Sequence, residues 1–175
     1  MKFASLMLAL GLAAASGLAG CSDSKAPAAS KVVEVVNADA VFAASFPDLE
    51  GKAQPLKQWR GKVMVLNFWA PWCPPCREEI PDFIQVQEQY RAKGVVFVGV
   101  AIDEAQNVQS FADETGINYP ILLGGTEGVE LSSKVGNRLG GLPYTVIIDR
   151  QGNIAAAQVG GLSKADLEGV LKKLL

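Results

Sequence analysis

Histidine is missing from this sequence altogether, and cysteine occurs three times in 175 residues. Structural zinc takes four ligands, drawn as a rule from Cys and His. A single chain therefore cannot complete a Cys/His zinc site, and no metal ligands are assigned. The lack of histidine also weighs against a copper carrier. Nor is there an excess of basic charge: 16 Lys and Arg stand against 18 Asp and Glu, a formal net charge of −2. Nucleic acid is thereby disfavoured as a partner. There is no internal repeat. No apolar run is long enough for a confident membrane span, since the most continuous one ends after Phe3 to Ala15.

That run has the marks of a targeting segment. Lys2 gives it a positive start, and small residues close it at Leu18-Ala19-Gly20-Cys21. Leu-Ala-Gly-Cys resembles the bacterial lipobox, whose cysteine is lipidated and becomes the mature N-terminus. Residues 1–20 are then the signal peptide and Cys21 the lipidation site. The competing reading is an ordinary secretory signal with an incidental cysteine. Residues 21–40, rich in Ser, Ala, Lys and Pro, read as the lipidated Cys and a flexible tether, and residues 41–175 as the domain. A lipid anchor would hold the protein on a membrane of the bacterial cell envelope, facing the periplasm or extracytoplasmic space. Such a compartment is oxidising.

The remaining two cysteines lie in Trp72-Cys73-Pro74-Pro75-Cys76. Before them, Val63 to Trp69 is apolar and β-prone, as a buried strand should be. Pro71, Pro74 and Pro75 break the strand, and a helical pattern follows. A strand leading into C-x-x-C at a helix start is a redox-motif context. The pair can alternate between dithiol and disulfide with little backbone movement. Cys73, at the helix N-terminus, is the expected nucleophile, because the dipole and free N–H groups favour its thiolate. Cys76, one turn further in and more buried, is expected to resolve the mixed disulfide. The alternative is a structural disulfide, but so small a loop constrains the unfolded chain little.

Elsewhere, Val32 to Val36 reads as a short strand and Val41 to Phe46 as an edge strand. A turn at Pro47 to Lys52 leads to a second short strand near Ala53–Leu56. The helix after Cys73 should reach about Lys93, carrying Ile80, Phe83, Ile84 and Tyr90 on its apolar stripe and a kink at Pro81. Strands follow at 95–102 and 119–123, with helices at 105–115 and 127–134. A hairpin pairs Tyr144–Ile148 with Ile154–Val159, and a last helix starts at Ser163. Alternating strands and helices ending in a hairpin and helix give an α/β sandwich.

Phe68 to Pro81, F-W-A-P-W-C-P-P-C-R-E-E-I-P, resembles the TlpA/ResA-type thioredoxins, membrane-tethered thiol–disulfide oxidoreductases outside the bacterial cytoplasm. Phe46-x-Asp48-Leu49-x-Gly51 and Gly61-Lys62 resemble the family's entry hairpin. Gly141-Leu142-Pro143-Tyr144-Thr145 resembles its cis-proline segment. The likeness spans about residues 41–175. It implies a thioredoxin-like α/β fold: a central mixed sheet flanked by helices, an N-terminal β-hairpin extension and a central insertion near residues 118–135.

The resemblance also implies residue roles. Pro143 should be cis and stand against the disulfide, with the Leu142 backbone beside it free to pair with an extended substrate segment. Trp72 should flank the disulfide. Glu79 matches an acid that exchanges protons with the buried cysteine; otherwise it is an exposed acid steadied by the helix dipole. Asn67 stands where plain thioredoxin has a buried Asp, so it cannot be a base. From position alone, not from the resemblance, Asp103 and Glu104 end a parallel strand near where α/β sites open, and capping the next helix is the expected role over a part in the site.

The leading expectation is a protein disulfide reductase working through the Cys73/Cys76 couple, with no cofactor beyond that redox-active disulfide. Its partners would be exported disulfide proteins, as in cytochrome c maturation, and an upstream thiol donor, a membrane electron-transfer protein. The alternatives are a disulfide-introducing oxidase and a non-catalytic metal carrier on the same fold.

Overall fold

The computed structural model describes residues 38–175; the signal, Cys21, the strand expected at 32–36 and most of the tether lie outside them. The first described residues depart from the sequence reading. In place of an edge strand over 41–46 there is a short helix, α1 (Asp39–Ala43), then a three-residue strand, β1 (Ser45–Pro47). The reason is which side chains need cover. Ala38, Val41 and Phe42 are all buried in one cluster. Their spacing puts them on one face of a helical turn, whereas a strand would point Val41 and Phe42 to opposite sides. The Ala38 N–H bonds the Gly152 carbonyl at 2.9 Å, so the body is already packed at residues assigned to the tether.

β1 pairs antiparallel with β2 (Ala53–Pro55) as the expected entry hairpin. The main sheet has five strands, in the order β5 (Ile121–Leu123), β4 (Val95–Ala101), β3 (Val63–Trp69), β6 (Tyr144–Ile148), β7 (Ile154–Val159). β3, β4 and β5 run parallel, and β6 runs antiparallel to both of its neighbours, β3 and β7. Every residue of β3, β4 and β6 is buried. Their unbroken apolar runs follow from having both sheet faces covered.

Parity along β3 sorts the two faces. Met64, Leu66 and Phe68 pack toward α1 and α4 (Gly125–Lys134). Val63 and Val65 pack toward α2 (Pro74–Tyr90) and α5 (Lys164–Leu174), while Trp69 meets α2 and α3 (Ala105–Thr115). Asn67 lies between these last two apolar clusters, on the α2 side. α2 continues through Pro81 as far as Tyr90. β5 and α4 form the unit expected between 118 and 135. Among the described residues no helix is long and apolar enough to cross a membrane.

Candidate active site

β3 ends at Trp69, and Ala70 to Trp72 turn the chain into α2. Cys73 is the N-cap, Pro74 and Pro75 take the first two helical positions, and Cys76 the third. Proline fits there because those N–H groups would lack helical partners in any case. The two prolines also have a chemical effect. A first helical turn normally aims several free N–H groups at its cap; here two of them are gone. Arg77 N–H bonds the Cys73 carbonyl at 3.1 Å, which leaves Cys76 N–H as the remaining donor of that turn. The Cys73 thiolate therefore gets less stabilisation than a helix start usually gives.

Cys73 and Cys76 are joined in a disulfide, with Cα atoms 5.3 Å apart. The expected order of accessibility is present but compressed: Cys73 is 3% exposed and Cys76 0%. What remains open of Cys73 faces an apolar groove of about 490 Å³, whose walls include Trp72, Pro74, Ile102, Val129 and Leu142. Trp72 stands 64% exposed at its rim, as expected of a residue flanking the disulfide. Trp69 and Phe68 are wholly buried.

The Leu142–Pro143 peptide is cis. Its loop is held by a residue that sequence reasoning missed. Asn137 donates from Nδ2 to the Gly141 carbonyl at 2.9 Å and accepts from the Gly141 N–H at 3.1 Å. Gly140 has φ +65°, a region costly for side chains with a Cβ. A Cβ on Gly141 would come within 3.0 Å of Val159 Cγ1. On the other side, Arg77 donates to the Pro71 carbonyl at 3.2 Å and lies over the Phe111 ring at 4.7 Å. It ties the turn before Cys73 to α3. Glu104 takes the N-cap position of α3 but its side chain makes no capping bond, and Asp103 accepts instead from Glu104 N–H at 2.7 Å and Asn107 Nδ2 at 3.1 Å, so the expected side-chain caps are not formed.

Glu79 is not a surface acid. It is 4% exposed, three residues past Cys76 on the same helix face. Its Oε1 accepts from Asn67 Nδ2 at 2.8 Å, and its Oε2 from the Leu162 N–H at 3.0 Å. Burial pushes its carboxyl up to about 7, against the pull of those two hydrogen bonds. Two bonds of roughly 1 kcal/mol each do not offset the loss of hydration. Asn67 also donates from Nδ2 to Thr145 Oγ1 at 3.0 Å, so its amide is fixed from both sides. Asn67 Oδ1 and Trp69 Nε1, on the same side of β3, are buried without hydrogen-bond partners. Thr145 is legible in the sequence only as part of the cis-proline segment and not as a partner of Asn67, and Leu162 carries no sequence signal because it acts through its backbone. Among the described residues no three His, Cys, Asp or Glu gather as metal ligands do.

A geometry of this kind has relatives. The Redoxin family model matches residues 22–172. The thiol-disulfide oxidoreductase ResA of Bacillus thuringiensis (strain Al Hakam) is 35% identical over 128 residues, covering 73% of this chain and 72% of its own. A solved thiol:disulfide interchange protein of the thioredoxin family from Chlorobium tepidum TLS superposes with a TM-score of 0.72 at 33% identity, over 80% of this chain and 96% of its own. A secreted Mycobacterium tuberculosis disulfide oxidoreductase, homologous to E. coli DsbE, gives 0.67 at 27% identity, over 78% of this chain and 100% of its own.

Proposed function

The chain belongs to the Redoxin family, as a ResA/TlpA-like thiol–disulfide oxidoreductase of thioredoxin-like fold, and on that premise we propose that it reduces disulfides of exported proteins from a membrane anchor at Cys21. The observation that carries the reading is the Cys73–Cys76 pair at the start of α2, open only to an apolar groove beside cis-Pro143. Cys73 thiolate attacks the partner's disulfide, forms a mixed disulfide and releases one partner sulfur as thiolate. Cys76 then attacks Cys73. The Cys73–partner bond breaks, the Cys73–Cys76 bond forms, and the second partner sulfur leaves. Two electrons pass to the partner, and the protons of the dithiol go with them by way of Glu79 and solvent. An upstream thiol donor, proposed to be a membrane electron-transfer protein, restores the dithiol. No further cofactor enters this scheme. Cytochrome c maturation, a role that the TlpA/ResA resemblance implies, is one proposed setting.

The reducing direction has a physical argument. A couple is oxidising when its thiolate form is well stabilised. Here two N–H donors are replaced by prolines, no histidine is present, and Glu79 lies one turn from Cys76. All three work against the thiolates. Titration against glutathione is expected to place the potential nearer thioredoxin, roughly −270 mV, than DsbA, roughly −120 mV. A value at the oxidant end would instead make the protein a disulfide-introducing oxidase.

The anchor is tested separately. Cys21→Ala is expected to move the protein from the membrane to the soluble fraction while its Tm stays unchanged, because Cys21 precedes the packed body. A wild type that is wholly soluble, with no acyl mass on its N-terminus, would refute the anchor.

A further inference from the structure

On the Glu79 side of α2, away from the groove at Cys73, lies a second, rear cavity of about 290 Å³, lined by Thr145, Ala156, Gln158, Leu162, Asp166 and Val170 among others. It shares no lining residue with the groove at Cys73. Two of its lining residues are those that close around Glu79. Leu162 N–H holds Oε2 at 3.0 Å. Thr145 Oγ1 shares Asn67 Nδ2 with Glu79 Oε1, at 3.0 and 2.8 Å. The two oxygens are thus no further apart than the sum of those distances, a gap that one water can bridge. Glu79, one turn after Cys76 on α2, is thereby tied to two residues of the rear cavity's wall, to Leu162 directly and to Thr145 through Asn67.

We propose that the rear cavity is the proton entrance of the redox site, with Thr145 as its inner hydroxyl. The proposal rests on the reductase reading and adds a route to it. A partner docked over Cys73 covers the front groove at the moment Cys76 must lose a proton. Glu79 takes that proton as Cys76 attacks Cys73. The proton then leaves Oε1 through water to the Thr145 hydroxyl, which passes one on to the cavity, and Glu79 returns to the carboxylate. The two electrons pass to the partner with the attack of Cys76, and only the proton moves in the relay that follows. The groups placed around Glu79 are Cys76 one turn before it on α2, Asn67 on β3, Thr145 on β6 by way of Asn67, the Leu162 N–H before α5, and the Tyr119 phenol before β5. Burial and the Glu79 charge hold the phenol's pKa high, so it stays protonated and is no competing base.

The test uses Gln158, the register partner of Thr145 on the same face of β7. It touches none of the Glu79 hydrogen bonds. Reduced wild type, Gln158→Phe, Gln158→Ala, Thr145→Val and Thr145→Ser are mixed with glutathione disulfide in H₂O and D₂O. The expected result is that Gln158→Phe and Thr145→Val slow the resolution of the mixed disulfide about 3- to 10-fold and raise its solvent isotope effect. Gln158→Ala and Thr145→Ser should match the wild type. The potential of Gln158→Phe should stay unchanged, since a route alters rate and not equilibrium. The entrance is overturned if Gln158→Phe matches Gln158→Ala, if its slowing comes with an equal shift in potential, or if Thr145→Val matches Thr145→Ser. The Thr145 pair decides alone if the Phe variant does not fold. A wild type that cannot reduce glutathione disulfide would sink the reductase reading itself; a competent wild type with indifferent variants sinks only the entrance.

Discussion

Replacing Cys76 by Ser is expected to give a protein that forms a covalent mixed disulfide with its partner through Cys73 and goes no further. Cys73→Ser is expected to form none, and its insulin reduction should fall to the uncatalysed rate. Both variants lose turnover, so the trapped species, not the rate, assigns the roles. The assignment follows from position. Cys73 caps α2 and opens on the groove, while Cys76 is wholly covered one turn inward. A partner sulfur must approach along the groove, past Trp72 and Leu142, and among the described residues the sulfur that lines it is that of Cys73. Nucleophilic exchange also needs a thiolate, and a helix start favours one, even with two donors removed.

Non-reducing mass spectrometry of each variant, incubated with an oxidised model peptide, reads the outcome. Adducts on Cys73→Ser and none on Cys76→Ser would reverse the two roles. Adducts on neither, with the wild type also inactive, would leave a bridge that is merely structural. The bridge spans only three residues, so its loss should change stability little. Unchanged Tm in both variants would separate a loss of chemistry from a loss of fold.

How far the sequence foretells this site depends on how local each part is. β3, β4 and β6 are legible because burial on both faces leaves an uninterrupted apolar run. The cysteines are legible because their chemistry needs fixed spacing. α1 is misread because a helix of one turn and a short strand offer the same few apolar residues; the choice is made by what Ala38, Val41 and Phe42 pack against. The environment of Glu79 is least legible. Its partners come from 12 and 83 residues away, and the link from Asn67 to Thr145 spans 78. No local pattern tells which face of α2 the segment before α5 will cover. The resemblance pointed to Glu79, but its burial is a tertiary fact.

Glu79→Gln is expected to have two effects of opposite sign, on catalysis and on stability. The first is slower proton-coupled exchange, on the order of 10²-fold, as for removal of a positioned general base. The cysteine pKa values of the reduced protein should fall, because a carboxylate one turn away disfavours a thiolate. The second concerns folding. The Glu79 carboxyl rises from 4.5 in a free chain to about 7 in the fold. Between those values the folded protein keeps a proton that the unfolded chain has released. Stability therefore falls as pH rises through that window, by up to roughly 3 kcal/mol from this one group. The Gln variant should lack that decline. Its amide can still accept from Asn67 but sets an NH₂ against the Leu162 N–H, a loss of about 1 kcal/mol at all pH values. The variant should thus be less stable than wild type at pH 4 and more stable at pH 8, the two curves crossing between. Denaturant unfolding of the oxidised proteins across that range measures this, since neither cysteine titrates there. Parallel curves, together with an unchanged thiolate titration, would remove Glu79 from the proton path and leave it a buried acid with only a structural part.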